Sequence, residues 1–212
     1  MKDEKLGVAV IEGALTPEAQ DLAIDLAEYE LDSFLDEGVL KEIPGIKLAI
    51  ACKKIWGAIQ DQLFLKKVAA FLSSSPKFTK EEVDAFVVDH WRGDEAKRLG
   101  ETVVLILDRL DDLDKPAMLA KVFAAFVRRH INYDALRRLA AGIDHSSIQD
   151  LKALAGEAVI PGEFAEPYPT GLVRSGFAHW ILKGNALGSK IGQAAEVNNL
   201  GRLFMKCILN DF

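Results

Sequence analysis

Apolar side chains recur at intervals of three and four along most of the first 156 residues, the spacing that lines one side of an α-helix. Thr16-Pro17-Glu18 supplies a hydroxyl cap, a proline pre-set for the first turn and a carboxylate at the positive end of the dipole. A helix to about Glu37 is predicted there, with Ile24, Ala27, Leu31, Phe34 and Leu35 on one face and Asp21, Asp25, Glu28 and Asp32 on another. Gly38 stops it. After the Pro44-Gly45 break, Ile46 to Leu72 reads as one long helix or two consecutive ones, interrupted near Gly57.

Thr79 with Glu82 fits a capping box, so the next helix should run from Lys80 to about Trp91. Another is expected from Glu95 to Leu110. Its centre, Thr102 to Leu107, is apolar and β-branched enough to pass for a buried strand, but Glu95 to Leu99 lead into it as helix formers without a turn signal. A helix that apolar is expected at the centre of the core. Lys115-Pro116 restarts a helix bearing Leu119, Val122, Phe123, Phe126 and Val127, with Asp114 as its cap. Asn132 should cap residues 133–144, and Ser146 with Gln149 should open a helix to about Ala155.

Past Gly156, glycine and proline crowd the chain. Phe177 to Leu182, a turn over Lys183 to Ser189 and a second run from Lys190 to Val197 predict a hairpin, after which Asn198 caps a helix through Leu209. The fold class expected is mainly α: a multi-helix bundle over residues 1–156 and a small C-terminal winged-helix-like α+β module over 157–212, which the helix over 147–155 can complete.

Composition adds limits. The chain has 212 residues, half of them apolar and 27% charged, the balance of a packed globular protein. Residues 1–43 carry three basic and twelve acidic side chains, and the rest of the chain is close to neutral. Lys47, Lys53, Lys54, Lys66 and Lys67 follow that acidic segment and read as the solvated face of a core helix rather than a membrane-binding surface. The longest apolar stretch, Ile43 to Ile59, is broken by lysines and too short for a membrane span. Cys52 and Cys207 belong to no CxxC pair, so buried thiols in a reducing, cytoplasmic setting are expected.

Chemistry is sparsely signalled. The four histidines, His90, His130, His145 and His179, show no HxxxH or HExxH spacing, and Asp108, Asp111, Asp112 and Asp114 lack the EF-hand pattern. Phosphate-binding glycine loops, GxSxG elbows and Cys–His nucleophile pairs are missing. A non-catalytic protein without metal or cofactor is therefore expected. Trp56, Trp91 and Trp180, with Phe164 and Tyr168, read as packed side chains before they read as partner anchors. The apolar helix Phe204 to Leu209 suggests a possible homodimer.

The stretch Leu172-Val173-Arg174-Ser175-Gly176-Phe177, the hairpin, and Val197-Asn198-Asn199-Leu200-Gly201-Arg202-Leu203 together resemble the closing half of a winged-helix domain. That resemblance implies contact with DNA through the helix before the wing. Lys152, Arg174, Lys183, Lys190 and Arg202 are the candidate contacts to nucleic acid or to a protein. They are spread among Glu157, Glu163, Glu166 and Glu196, so a protein-binding module is expected, with a DNA-binding regulator as the alternative. Phe126 to Asn132 is similar to the link between helices in tellurite-resistance-type domains, without their acidic metal ligands. The run Asp108 to Asp112 with Lys115 and Phe123 resembles uncharacterised small bacterial proteins, which would allow a component of an antiviral or mobile-element system.

Overall fold

In a computed structural model, residues 10–15, 58–90, 94–156, 170–184, 191–210 and 212 are described. The helix expected over residues 17–37, the boundary near residue 157, Trp56, Trp91, Phe164, Tyr168, Cys52 and Lys190 lie outside them. The described residues are mainly helical with one small antiparallel sheet, and the chain divides into two compact units, Met1–His130 and Ile131–Phe212.

The first unit contains α1 (Ala58–Ser73), α2 (Lys80–His90), α3 (Asp94–Arg109) and α4 (Lys115–Val127), besides helical residues 10–15. Helix α4 is at its centre, buried from Val122 through Val127 and at Leu119 and Ala120, and α1 and α2 both pack on it. Phe71, Phe86, Phe123 and Phe126 form its aromatic heart, with neighbouring ring centroids 5.7 to 6.4 Å apart. Each such pair is worth about 0.5–1.5 kcal/mol beyond simple burial. The stretch Thr102 to Leu107 is helical, as read. It is not the centre of the core, however, because consecutive helical residues point about 100° apart. Leu99, Val103, Val104 and Leu107 are buried while Leu105 is 60% exposed.

The caps follow the sequence in part. Thr79 and Glu82 exchange the two bonds of a capping box at 2.8 and 3.2 Å. Glu82 also accepts from Arg128 Nε at 2.9 Å, and the Arg128 guanidinium lies 5.6 Å from the Phe78 ring centre. Arg129 stands at φ 61°, which costs a side-chain-bearing residue about 1–2 kcal/mol. It closes α4 nonetheless, since its N–H reaches Phe126 O and that of His130 reaches Ala125 O, both at 2.9 Å.

Asp114 makes no side-chain cap, contrary to expectation. Its own N–H instead donates to Asp112 Oδ1 at 2.7 Å, and Asp111 turns to Lys115 Nζ at 2.6 Å. Lys115 is completely buried, and Lys67 is buried too, its ammonium donating to Asp108 O at 2.7 Å. Lys67 is thus no solvated face: it neutralises the C-terminal carbonyls of α3 from inside the fold.

The second unit runs α5 (Tyr133–His145), α6 (Ile148–Gly156), α7 (Thr170–Arg174), β1 (Ala178–Gly184), β2 (Ile191–Val197) and α8 (Asn199–Leu209). Asn132 caps α5 by accepting from Ala135 N at 2.9 Å, as read. At α6 the cap is Ser147, which accepts from Asp150 N at 3.1 Å, while Ser146 Oγ is buried and unpartnered. The strands pair from Ala178 opposite Val197 to Gly184 opposite Ile191.

Phe177 ties the unit together. Helix α7 ends at Gly176, whose φ of +84° suits glycine, and the turn is closed by Gly176 N to Val173 O and Phe177 N to Leu172 O. The buried Phe177 ring then packs against Gly142 and lies 5.0 Å from the Phe204 ring. Its carbonyl accepts from Asn198 N at 3.0 Å and rests on Gly201. Asn198 completes the junction by accepting from Leu200 N and Gly201 N and donating to Gly176 O.

Two outcomes are expected in denaturant unfolding. A Cβ at Gly201 would collide with the Phe177 carbonyl and one at Gly142 with the Phe177 ring. Alanine gains about 1 kcal/mol of helix propensity there, yet overpacking costs about 1–3 kcal/mol, so Gly201→Ala and Gly142→Ala should each lower the stability of the second unit. For Asp111, the hydrogen bond to Lys115 outweighs desolvation and holds the carboxyl below its ordinary 3.8. Its contribution is therefore complete above that value and is lost as pH falls through the lower, folded one. Asp111→Asn should cost the first unit about 1 kcal/mol near neutral pH, the carboxylate being largely exposed, and the difference from wild type should vanish in strong acid.

Candidate functional site

The residues singled out in the sequence stand on separate elements of the second unit. Lys152 is exposed on α6, Arg174 is exposed at the end of α7, and Lys183 occupies β1 opposite Gly192. Arg202 is exposed in the first turn of α8 but pairs with Glu196 at 3.5 Å, which draws part of its charge back into the fold.

Two features were not legible in the sequence. The first is Trp180. Residues directly opposite in an antiparallel pair share a face. Ala178, Ala195 and Val197 therefore mark the covered face of the hairpin, and each is buried. Trp180 pairs with Ala195 on that same face, yet it is 44% exposed where Ala195 is 1% exposed. The packed role read for it from sequence is only half fulfilled.

The second is an open groove of about 400 Å³ between the first turns of α5 and α8. Ala135, Leu200 and Leu203 give it an apolar floor, and Asp134, Arg138 and Asn199 give it a polar rim. The Asn132 and Asn198 caps hold both helix starts in place, so this is a concavity between regular elements. Its two sides lie nearly seventy residues apart in the chain, which is why no local motif announces it.

Among the described residues of this unit the exposed charge is mostly basic. Residues 131–212 carry eight basic and eight acidic side chains. Among the described ones, Arg137, Arg138, Lys152, Arg174, Arg202 and Lys206 are exposed, against Asp134 alone of the acids. Asp144, Asp150 and Glu196 are partly withdrawn from solvent.

Reactive groups are few at this surface. Among the described residues no three His, Cys, Asp or Glu side chains stand close enough to hold a metal ion, and no helix is long and apolar enough to cross a membrane. His145 and His179 are exposed in different elements. Phe204 and Cys207, two of the apolar residues that suggested a homodimer, are buried, while Leu209 and Phe212 are each about half exposed. Burial pushes the Cys207 thiol up to about 12. A thiol with that value is protonated at neutral pH and is a poor nucleophile. In a Cys52→Ser background, a disulfide-exchange reagent at about pH 8 should label Cys207 only after denaturation; rapid labelling of the native protein would contradict its burial. No protein-family model, curated protein or solved structure matches this chain.

Proposed function

We propose that residues 131–212 act as a winged-helix-like module that docks a second protein, with the hairpin as its contact surface. The observation that carries this reading is the half-exposed indole of Trp180 on a paired strand where Ala178, Ala195 and Val197 on the same face are buried. Tryptophan supplies a large, stiff contact area and is enriched among the side chains that dominate protein interfaces. The surrounding frame is fixed by the Phe177 junction, so little conformational freedom is lost when a partner covers it.

The DNA-binding alternative has weaker support. The short α7 ends in a single exposed arginine, and Arg202 is partly neutralised by Glu196, whereas phosphate-mediated binding draws on several free cations acting together.

The test is affinity purification of the full chain from the cells that make it, with wild type and Trp180→Ala compared at equal thermal stability. Wild type should retain a protein at a fixed molar ratio, and Trp180→Ala should weaken that retention by about tenfold or more. Equal retention by the two proteins, or recovery that disappears on nuclease treatment, would contradict the reading.

A further inference from the structure

We infer that the groove between α5 and α8 receives an acidic amphipathic segment of a protein partner. This rests on the reading of residues 131–212 as a docking module and adds the chemistry of what it docks. Two observations carry it together. The floor of Ala135, Leu200 and Leu203 offers apolar contact, and a volume of about 400 Å³ matches a few side chains rather than a duplex. Beside that floor Arg138 and Asp134 line the groove together, and beyond the lining the exposed charges on α8 are basic: Lys206, and Arg202, which Glu196 partly neutralises.

Helical geometry places these groups where a bound segment would meet them. On α8, Asn199, Leu203 and Lys206 fall on one stripe, three and four residues apart, with Arg202 adjoining it. On α5, Asp134 and Arg138 are one turn apart, so the groove has a basic edge along α8 and a mixed edge along α5. An amphipathic helix laid between them would put leucine-like side chains on the floor and carboxylates against Arg138 and Lys206, the two exposed cations of these edges that have no acidic partner among the described residues. Complementary charge of this kind sets register and speeds encounter more than it deepens affinity. Nucleic acid fits less well, because Asp134 at the rim repels phosphate and stacking bases would meet only aliphatic side chains.

The probe is a fluorescein-labelled synthetic peptide of about sixteen residues, with leucine at helical spacing and glutamate elsewhere, titrated with the full chain by fluorescence anisotropy. Saturable binding is expected, weakened about tenfold by Arg138→Glu and further by Arg138→Glu with Lys206→Glu. It should fall between about 50 and about 200 mM salt. The same peptide with lysine for glutamate should not bind. Because the substituted side chains are exposed, unchanged thermal unfolding is the fold control. Equal affinity of wild type and Arg138→Glu, equal binding of the lysine peptide, or displacement by a short DNA duplex would each overturn the inference. If wild type retains a cellular protein through Trp180 while the acidic peptide fails, the docking module stands and the acidic groove falls.

Discussion

The backbone carbonyl of Phe177 has a single place to go, between the N–H of Asn198 and the bare face of Gly201, and the second unit is organised around that constraint. Because the carbonyl occupies that space, residue 201 can carry no side chain without displacing it. With the carbonyl fixed there, the ring of the same residue is driven against Gly142 and Phe204, and burying it contributes about 1.5–3 kcal/mol. Asn198 binds the two ends of the hairpin by reaching back to Gly176 while capping α8. The hairpin, the end of α7 and the start of α8 are thereby held as one frame, packed through the Phe177 ring against α5 at Gly142.

The packed frame of this unit and the surface proposed for docking are made of different residues. Phe177, Leu172, Leu139, Ile143 and Phe204 are buried and define the frame, whereas Trp180, Arg138, Arg202 and Lys206 project from it. The first unit works by a different device. Its aromatic core surrounds α4, and two buried lysines close the polar end of α3, one on a helix carbonyl and one on a carboxylate. Of the acids from Asp108 to Asp114, Asp111 has a structural role as the ion-pair partner of Lys115, and Asp112 has one as the acceptor for Asp114 N.

What the sequence disclosed was what is local. The box of Thr79 with Glu82 and the caps Asn132 and Asn198 rest on contacts within three residues, and each forms as the pattern demands. The hairpin and the helical character of Thr102 to Leu107 were legible for the same reason. Adjacent hydroxyls confound such signals: Ser146 and Ser147 offer the same chemistry, and because α6 starts at Ile148 it is Ser147 that accepts from Asp150 N. Nothing local separates Lys67 from Lys66, yet one is buried under α3 and the other is exposed. Trp180 and the groove depend on which faces the hairpin and α8 turn outward, a property of packing.

Rigidity of the Phe177 junction is what the proposed docking surface depends on, and hydrogen exchange of residues 131–212 measures it most directly. The amides of Phe177 and Asn198, each bonded within the junction, should exchange at the slow rate of buried positions in α8, opening only when the whole unit unfolds. Exchange of those two amides as fast as an exposed turn, while α8 stays protected, would show the hairpin moving independently of the helices and would contradict the account.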